Sequence, residues 1–205
     1  MTKLFGAFGR KPQTAEPIIV VSGLPRSGTS MMMKILAEGG LPIITDELRQ
    51  ADTDNPNGYY ETETVKQLSA GNVGWLSNAG GKVVKVISAL LEHLPAQYQY
   101  KIIFMEREIQ EILASQRKML RRRNEESKMD DAGMEAQFQK HIAAVKPWLA
   151  RQPNMDVLYI SYNALVSDPE PLCGRVVEFI RAPLNVSRML AVPNAELYRN
   201  RISGM

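Results

Sequence analysis

Eight residues, Gly23-Leu24-Pro25-Arg26-Ser27-Gly28-Thr29-Ser30, stand between an apolar β-branched run and an apolar helical stretch. They limit the possible folds of this chain more than any other feature. The run before them, Ile18-Ile19-Val20-Val21, reads as a buried strand. The stretch after them, Met31 to Gly39, reads as a helix closed by Gly39-Gly40. A strand, a glycine-bearing turn and a helix start together bring free backbone N–H groups and the positive end of a helix to one spot, which makes an anion site.

The spacing is that of a Walker A loop, G-x4-G-x-S, with one substitution. Thr29 stands where such a loop has Lys, and the fixed cation is Arg26, three residues earlier. A nucleotide kinase uses that Lys on the β- and γ-phosphates. A second strand-like run, Tyr100-Lys101-Ile102-Ile103-Phe104-Met105, delivers Glu106-Arg107 at its end. Ile109, Ile112, Leu113, Gln116 and Leu120 then fall roughly on one helical face, with Ser115 eight residues after Arg107. Arg107 also stands at i,i+4 spacing from Glu111, so a surface ion pair is its simplest alternative role. A third run, Asp156 to Tyr162, reads as a strand and leads into Asn163-Ala164-Leu165-Val166-Ser167-Asp168-Pro169.

These three segments, spanning roughly residues 18–182, resemble those of sulfotransferases that use 3′-phosphoadenosine 5′-phosphosulfate (PAPS) as donor. The likeness implies that Arg26 and the loop amides hold the 5′-phosphosulfate, with Ser27, Gly28, Thr29 and Ser30 completing the cradle. It also implies that Arg107 and Ser115 clamp the 3′-phosphate, the Arg through two donors at once. Tyr162 would lie near the adenine or the phosphates; alternatively it caps a strand end with its hydroxyl in water. The chain departs from the pattern at Asn163, where the family commonly has Glu, and at Met31, where cytosolic members stack adenine on Trp.

Sulfuryl transfer needs a base for the acceptor's proton and cations for the transferring group, and neither task requires a metal. In cytosolic members the base is a His in a Lys-x-His-Leu-Pro stretch; here Lys85 matches the Lys but Ile87 takes the His position. His93-Leu94-Pro95 comes six residues late and reads as a helix end. By likeness to the tyrosylprotein and heparan enzymes, the base is a carboxylate shortly after the second strand. Glu47, 21 residues after Arg26, fits that spacing, and Asp46 is its neighbour. Both acids also suit the start of a helical turn. Glu61 is the third candidate, closing Asn55-Pro56-Asn57-Gly58-Tyr59-Tyr60-Glu61, which resembles a segment of many bacterial sulfotransferase-like proteins. Lys85 would support the leaving group or bridge to the acceptor, although a strand Lys can also reach solvent.

The order of elements is strand 18–22, helix 29–39, strand 42–44, a loop-rich insert, helix 62–77, strand 82–87, helical stretch 88–93, strand 100–105 with its helix, helix 132–150, strand 156–162 and helix 170–181. Alternating β and α segments imply an α/β, P-loop-type three-layer fold, a central parallel sheet flanked by helices. We expect residues 1–16 to form a flexible tail and residues 17–205 one domain. Ligands in such sheets bind beyond the strands' carboxyl ends, near a switch point. The charged stretch 121–131 is expected to be mobile, and acceptor-binding inserts are expected at 45–80 and 121–140.

Composition narrows the partners. The net charge of +3 is mild, and the cluster Arg117, Lys118, Arg121, Arg122, Arg123 has no aromatic residues interleaved, so nucleic acid is not expected. That cluster reads as a solvated helix face, or as added positive potential for an anionic ligand. A single cysteine, Cys173, excludes a disulfide framework and reads as core. Two histidines, His93 and His141, do not make a metal site. No run approaches the roughly 18 apolar residues of a membrane span, and a cytoplasmic protein is expected. Acceptors of small-molecule, glycan or peptide type are all compatible. Two other functions stay open, a P-loop kinase or NTPase and a nucleotide-binding protein of this type without turnover.

Overall fold

The structure, a computed structural model, describes residues 16–46, 60–127 and 129–193. Five strands form its sheet: β1 (Ile18–Gly23), β2 (Ile43–Ile44), β3 (Val83–Lys85), β4 (Tyr100–Glu106) and β5 (Met155–Ser161). Their order is β2-β3-β1-β4-β5 and every pairing is parallel. From β1 the chain builds first to one side, through β2 and β3, and then to the other, through β4 and β5. The direction reverses around β1, so the crevice at a switch point opens where β1 ends.

Both faces of the sheet are covered. On one face Ile19, Val21, Val83, Ile103, Met105 and Ile160 pack with α1 (Thr29–Glu38), α5 (Tyr162–Ser167), α6 (Pro169–Ile180) and α7 (Val186–Leu190). On the other, Ile18, Val20, Val84, Val86, Ile102 and Phe104 pack with α2 (Glu63–Lys66), three short 3-10 turns and the second half of α4 (Asp131–Leu149). Successive residues of β1 alternate between these two cores, as a strand's period of two requires. α3 (Ile109–Arg122) follows β4 and is tied to α4 by Gln110–Glu135 and Arg117–Asp131 bonds. Cys173 lies in the first core.

Two segments differ from the sequence-based expectation. The helix expected over 62–77 is α2 followed by 3-10 turns at Leu68–Ala70 and Gly74–Asn78. Gly71, at φ 81°, ends the first turn in a left-handed conformation, yet Val65, Leu68 and Leu76 still reach the core. Short turns thus reproduce the apolar spacing that a continuous helix would give. Tyr162, expected as the last residue of a strand, and the residues after it instead form α5, started by Ser161, whose hydroxyl accepts from the Ala164 N–H. Between these helices, α3 ends at Arg122 and α4 starts at Asp131, capped by Asp130. No helix of the described residues is long and apolar enough to cross a membrane.

Candidate active site

Strand register alone assembles the site. Gly23 pairs with Met105, so Arg107, two residues on, comes abreast of the loop that leaves β1. Glu106 pairs with Ser161, which brings Tyr162 beside Arg107. Val21 pairs with Lys85, and the Lys side chain extends from there to the first turn of α1.

The loop's backbone depends on its two glycines. Gly23 has φ 145°, and a Cβ there would come within 2.5–2.6 Å of the Ser27 hydroxyl and the Met105 carbonyl. Gly28 has φ 100°, and its Cβ would overlap the Tyr162 ring. Arg26 takes a left-handed conformation, φ 70°, which costs a non-glycine residue about 1–3 kcal/mol. Gly28 is also the N-cap of α1, so no side chain caps that helix, and no acid stands in its first turn. The Ser27 hydroxyl is buried without a hydrogen-bond partner among the described residues, at a cost of about 1–3 kcal/mol. Close-approach glycines, an uncapped helix start and an orphaned hydroxyl suit an incoming phosphate-type anion.

Two reciprocal hydrogen bonds join this loop to the β4–α3 element. Arg26 Nε donates to Ser115 Oγ at 3.0 Å. Arg107 Nη1 donates to the Arg26 carbonyl at 3.2 Å. The Arg107–Glu111 pair expected as an alternative is present at 2.9 Å, but it is buried, the side chains being 7% and 3% exposed. Desolvation makes such a pair a fixed element of structure rather than a weak surface contact. Asn163 Nδ2 donates to the other Glu111 oxygen at 3.1 Å. Tyr162 is buried, with its ring centre 4.2 Å from the Arg107 guanidinium carbon. Burial raises the Tyr162 pKa; Glu111 adds to the rise, while Arg107 and Arg26 oppose it.

Lys85 is buried, and its ammonium donates to Ser30 Oγ at 3.2 Å and to Glu61 Oε1 at 3.3 Å. Among the three candidate bases, Glu61 is therefore tied to the loop. Its carbonyl also accepts from the Thr45 hydroxyl at 3.2 Å, holding this segment beside the end of β2. Asp46 Oδ2 instead accepts from the Glu63 N–H at 2.7 Å, at the start of α2. Glu47 lies outside the described residues. His93 ends a 3-10 turn with its side chain 36% exposed, as its place in the sequence suggests. Met31 is buried in the core beneath α1, so it presents no face to an adenine. Thr29 is buried at the helix start.

A family model described as a sulfotransferase domain matches residues 16–195. The chain belongs to the sulfotransferase family. Sulfuryl transfer is the reaction class this membership carries. No curated protein matches the chain. Solved structures similar to this sulfotransferase include other sulfotransferases. The mouse sulfotransferase SULT7A1, complexed with PAP, is 19% identical, with 94% of this chain and 69% of that one covered and a TM-score of 0.57. Sulfotransferase STF1 from Mycobacterium tuberculosis is 14% identical, with 94% and 78% covered and a TM-score of 0.57. A sulfotransferase domain from the curacin biosynthetic pathway is 14% identical, with 88% and 78% covered and a TM-score of 0.51. At these identities the likeness is one of fold.

Two residues of the site have no role assigned from sequence. Glu111 stands there only as a competing partner for Arg107, and Asn163 only as a departure from the family pattern. The i,i+4 spacing is the one available signal for Glu111. Nothing local signals that Asn163, 52 residues away, meets it.

Proposed function

We propose that this sulfotransferase takes its sulfuryl group from PAPS and passes it to a hydroxyl or amine acceptor. The observation that carries this reading is the reciprocal bonding of Arg26 with Ser115 and of Arg107 with the Arg26 backbone. It sets a glycine-lined anion cradle and a second cationic element side by side, as a donor with phosphate groups at its 5′ and 3′ positions requires.

In this assignment the Arg26 guanidinium, the Ser27 hydroxyl and the amides of Gly28, Thr29 and Ser30 hold the 5′ end. Arg107 and Ser115 hold the 3′-phosphate, with Tyr162 as the floor beneath Arg107. Bound PAPS supplies the activated sulfuryl group. Lys85 steadies the negative charge that grows beside Ser30. Glu61, on the far side of Lys85, accepts the acceptor's proton, a role that the helix-capping contact of Asp46 does not favour for that residue. Adenine packing falls to groups other than Met31.

Calorimetry with adenosine 3′,5′-bisphosphate in magnesium-free buffer tests the donor class, with 5′-AMP and ATP as controls. Tight binding that requires the 3′-phosphate is expected. Preference for magnesium-bound ATP would move the chain to the kinase reading. Donor binding with no transfer to any acceptor would mark a protein that binds without turnover.

A further inference from the structure

Arg107 is enclosed by more than its expected ligand requires. Glu111 holds Nε at 2.9 Å, the Arg26 carbonyl takes Nη1 at 3.2 Å, and the Tyr162 ring lies 4.2 Å from the guanidinium carbon. Glu111 is itself fixed from a separate element, since Asn163 on α5 donates to its other oxygen at 3.1 Å. Glu111 is 2% exposed, so its charge is shielded from water and acts on the few groups around it. Among the charged and titratable groups around it, Arg107 from the end of β4 is its ion-pair partner, and Tyr162 from the start of α5 feels its charge together with those of Arg107 and Arg26.

We infer that Glu111 and Asn163 are positioning residues that fix the rotamer of Arg107 and so set recognition of the donor's 3′-phosphate. The inference rests on the assignment of Arg107 to that phosphate. The carboxylate takes Nε and the Arg26 carbonyl takes Nη1, so the guanidinium is held from two separate elements. A long, rotamer-rich side chain held this way loses little freedom on binding, which is the source of affinity from pre-organisation. Asn163 matters because it is a donor. A carboxylic acid at 163 would put two acids within hydrogen-bond distance, where they attract while one holds a proton and repel once both are ionised.

The experiment compares binding of adenosine 3′,5′-bisphosphate with that of 5′-AMP, and the ratio isolates the 3′-phosphate. In Glu111→Gln the ratio is expected to fall by roughly tenfold, the scale of one charge-assisted hydrogen bond, with 5′-AMP affinity kept. Because neutralising Glu111 takes away the buried Arg107's charge partner and endangers folding, Asn163→Asp provides an independent test. At low pH the introduced carboxyl and that of Glu111 share a proton and imitate the native bond. As pH rises both ionise, and Glu111 is pushed from Arg107. The ratio in this variant, measured against the native chain at each pH, is expected to fall with rising pH. An unchanged ratio in both variants, with Arg107→Ala lowering it, overturns the positioning role alone. An unchanged ratio in Arg107→Ala overturns the 3′-phosphate assignment, and this inference with it.

Discussion

Lys85 is the residue on which the candidate chemistry turns. Its ammonium bridges Ser30 in the loop and Glu61 outside it, and the strand register that carries it there leaves the side chain only 8% exposed. In the proposed assignment a cation so placed would serve both halves of a transfer, steadying charge near the donor and orienting the carboxylate assigned to the proton. Glu61→Gln removes the proposed proton acceptor while keeping the side chain's shape. Its kcat is expected to fall by about 10²–10⁴-fold with donor affinity unchanged. Steady-state kinetics alongside bisphosphate binding would check this, and undiminished turnover would return the role to Asp46 or Glu47. Gly28 is the second decisive residue. In Gly28→Ala a Cβ overlaps the Tyr162 ring at a φ of 100°, so lost donor binding is expected together with destabilisation of about 1–3 kcal/mol. Calorimetry and urea titration separate the two effects, and native affinity in a folded variant would remove the loop from the site.

At the scale of elements, each helix end near the site is built for its task. α1 starts without a side-chain cap, which leaves its N-terminus to a ligand. α4, by contrast, starts on Asp130, whose carboxylate accepts from the Gly133 N–H at 2.9 Å. This helix sends His141 to Ser88, at 2.8 Å, and Lys146 to Glu106. It therefore braces the turn after β3 and the end of β4 from the face opposite α1. Asp130→Ala is expected to cost about 1 kcal/mol of stability, as loss of an N-cap does elsewhere, with bisphosphate affinity retained. Urea unfolding and calorimetry on the same preparation measure both quantities. A large loss of affinity would show that α4 shapes the site directly rather than supporting it.

For the molecule as a whole, burial fixes the alkaline limit of stability. Burial raises the pKa of Tyr100, with Tyr98 adding to it, and burial likewise raises Tyr60, Tyr159 and Tyr162 above the ordinary value of 10.0. Below that value both folded and unfolded chains keep these hydroxyls protonated, so the folded state has its full stability. Above it the unfolded chain ionises first and is favoured, so stability falls as pH rises toward the folded values. Unfolding midpoints and tyrosinate absorbance followed together from pH 9 upward, roughly through the ordinary tyrosine range, should shift in step. Tyrosinate formation with no loss of stability would show these rings to be solvent-accessible. The same burial separates what was legible in the sequence from what was not. Residue order determined the parallel α/β sheet, because β-branched runs alternate with helical spacing. It also marked the loop as an anion site, because a glycine-bearing turn there joins a β-branched run to a helical one, whereas Arg107, Ser115 and Tyr162 became candidates through the family resemblance of their segments. Local spacing could not show that Glu61 reaches Lys85, nor that the Arg107–Glu111 pair is buried and held by Asn163. Those depend on which distant segments pack around each group and exclude water, and only the tertiary structure decides that.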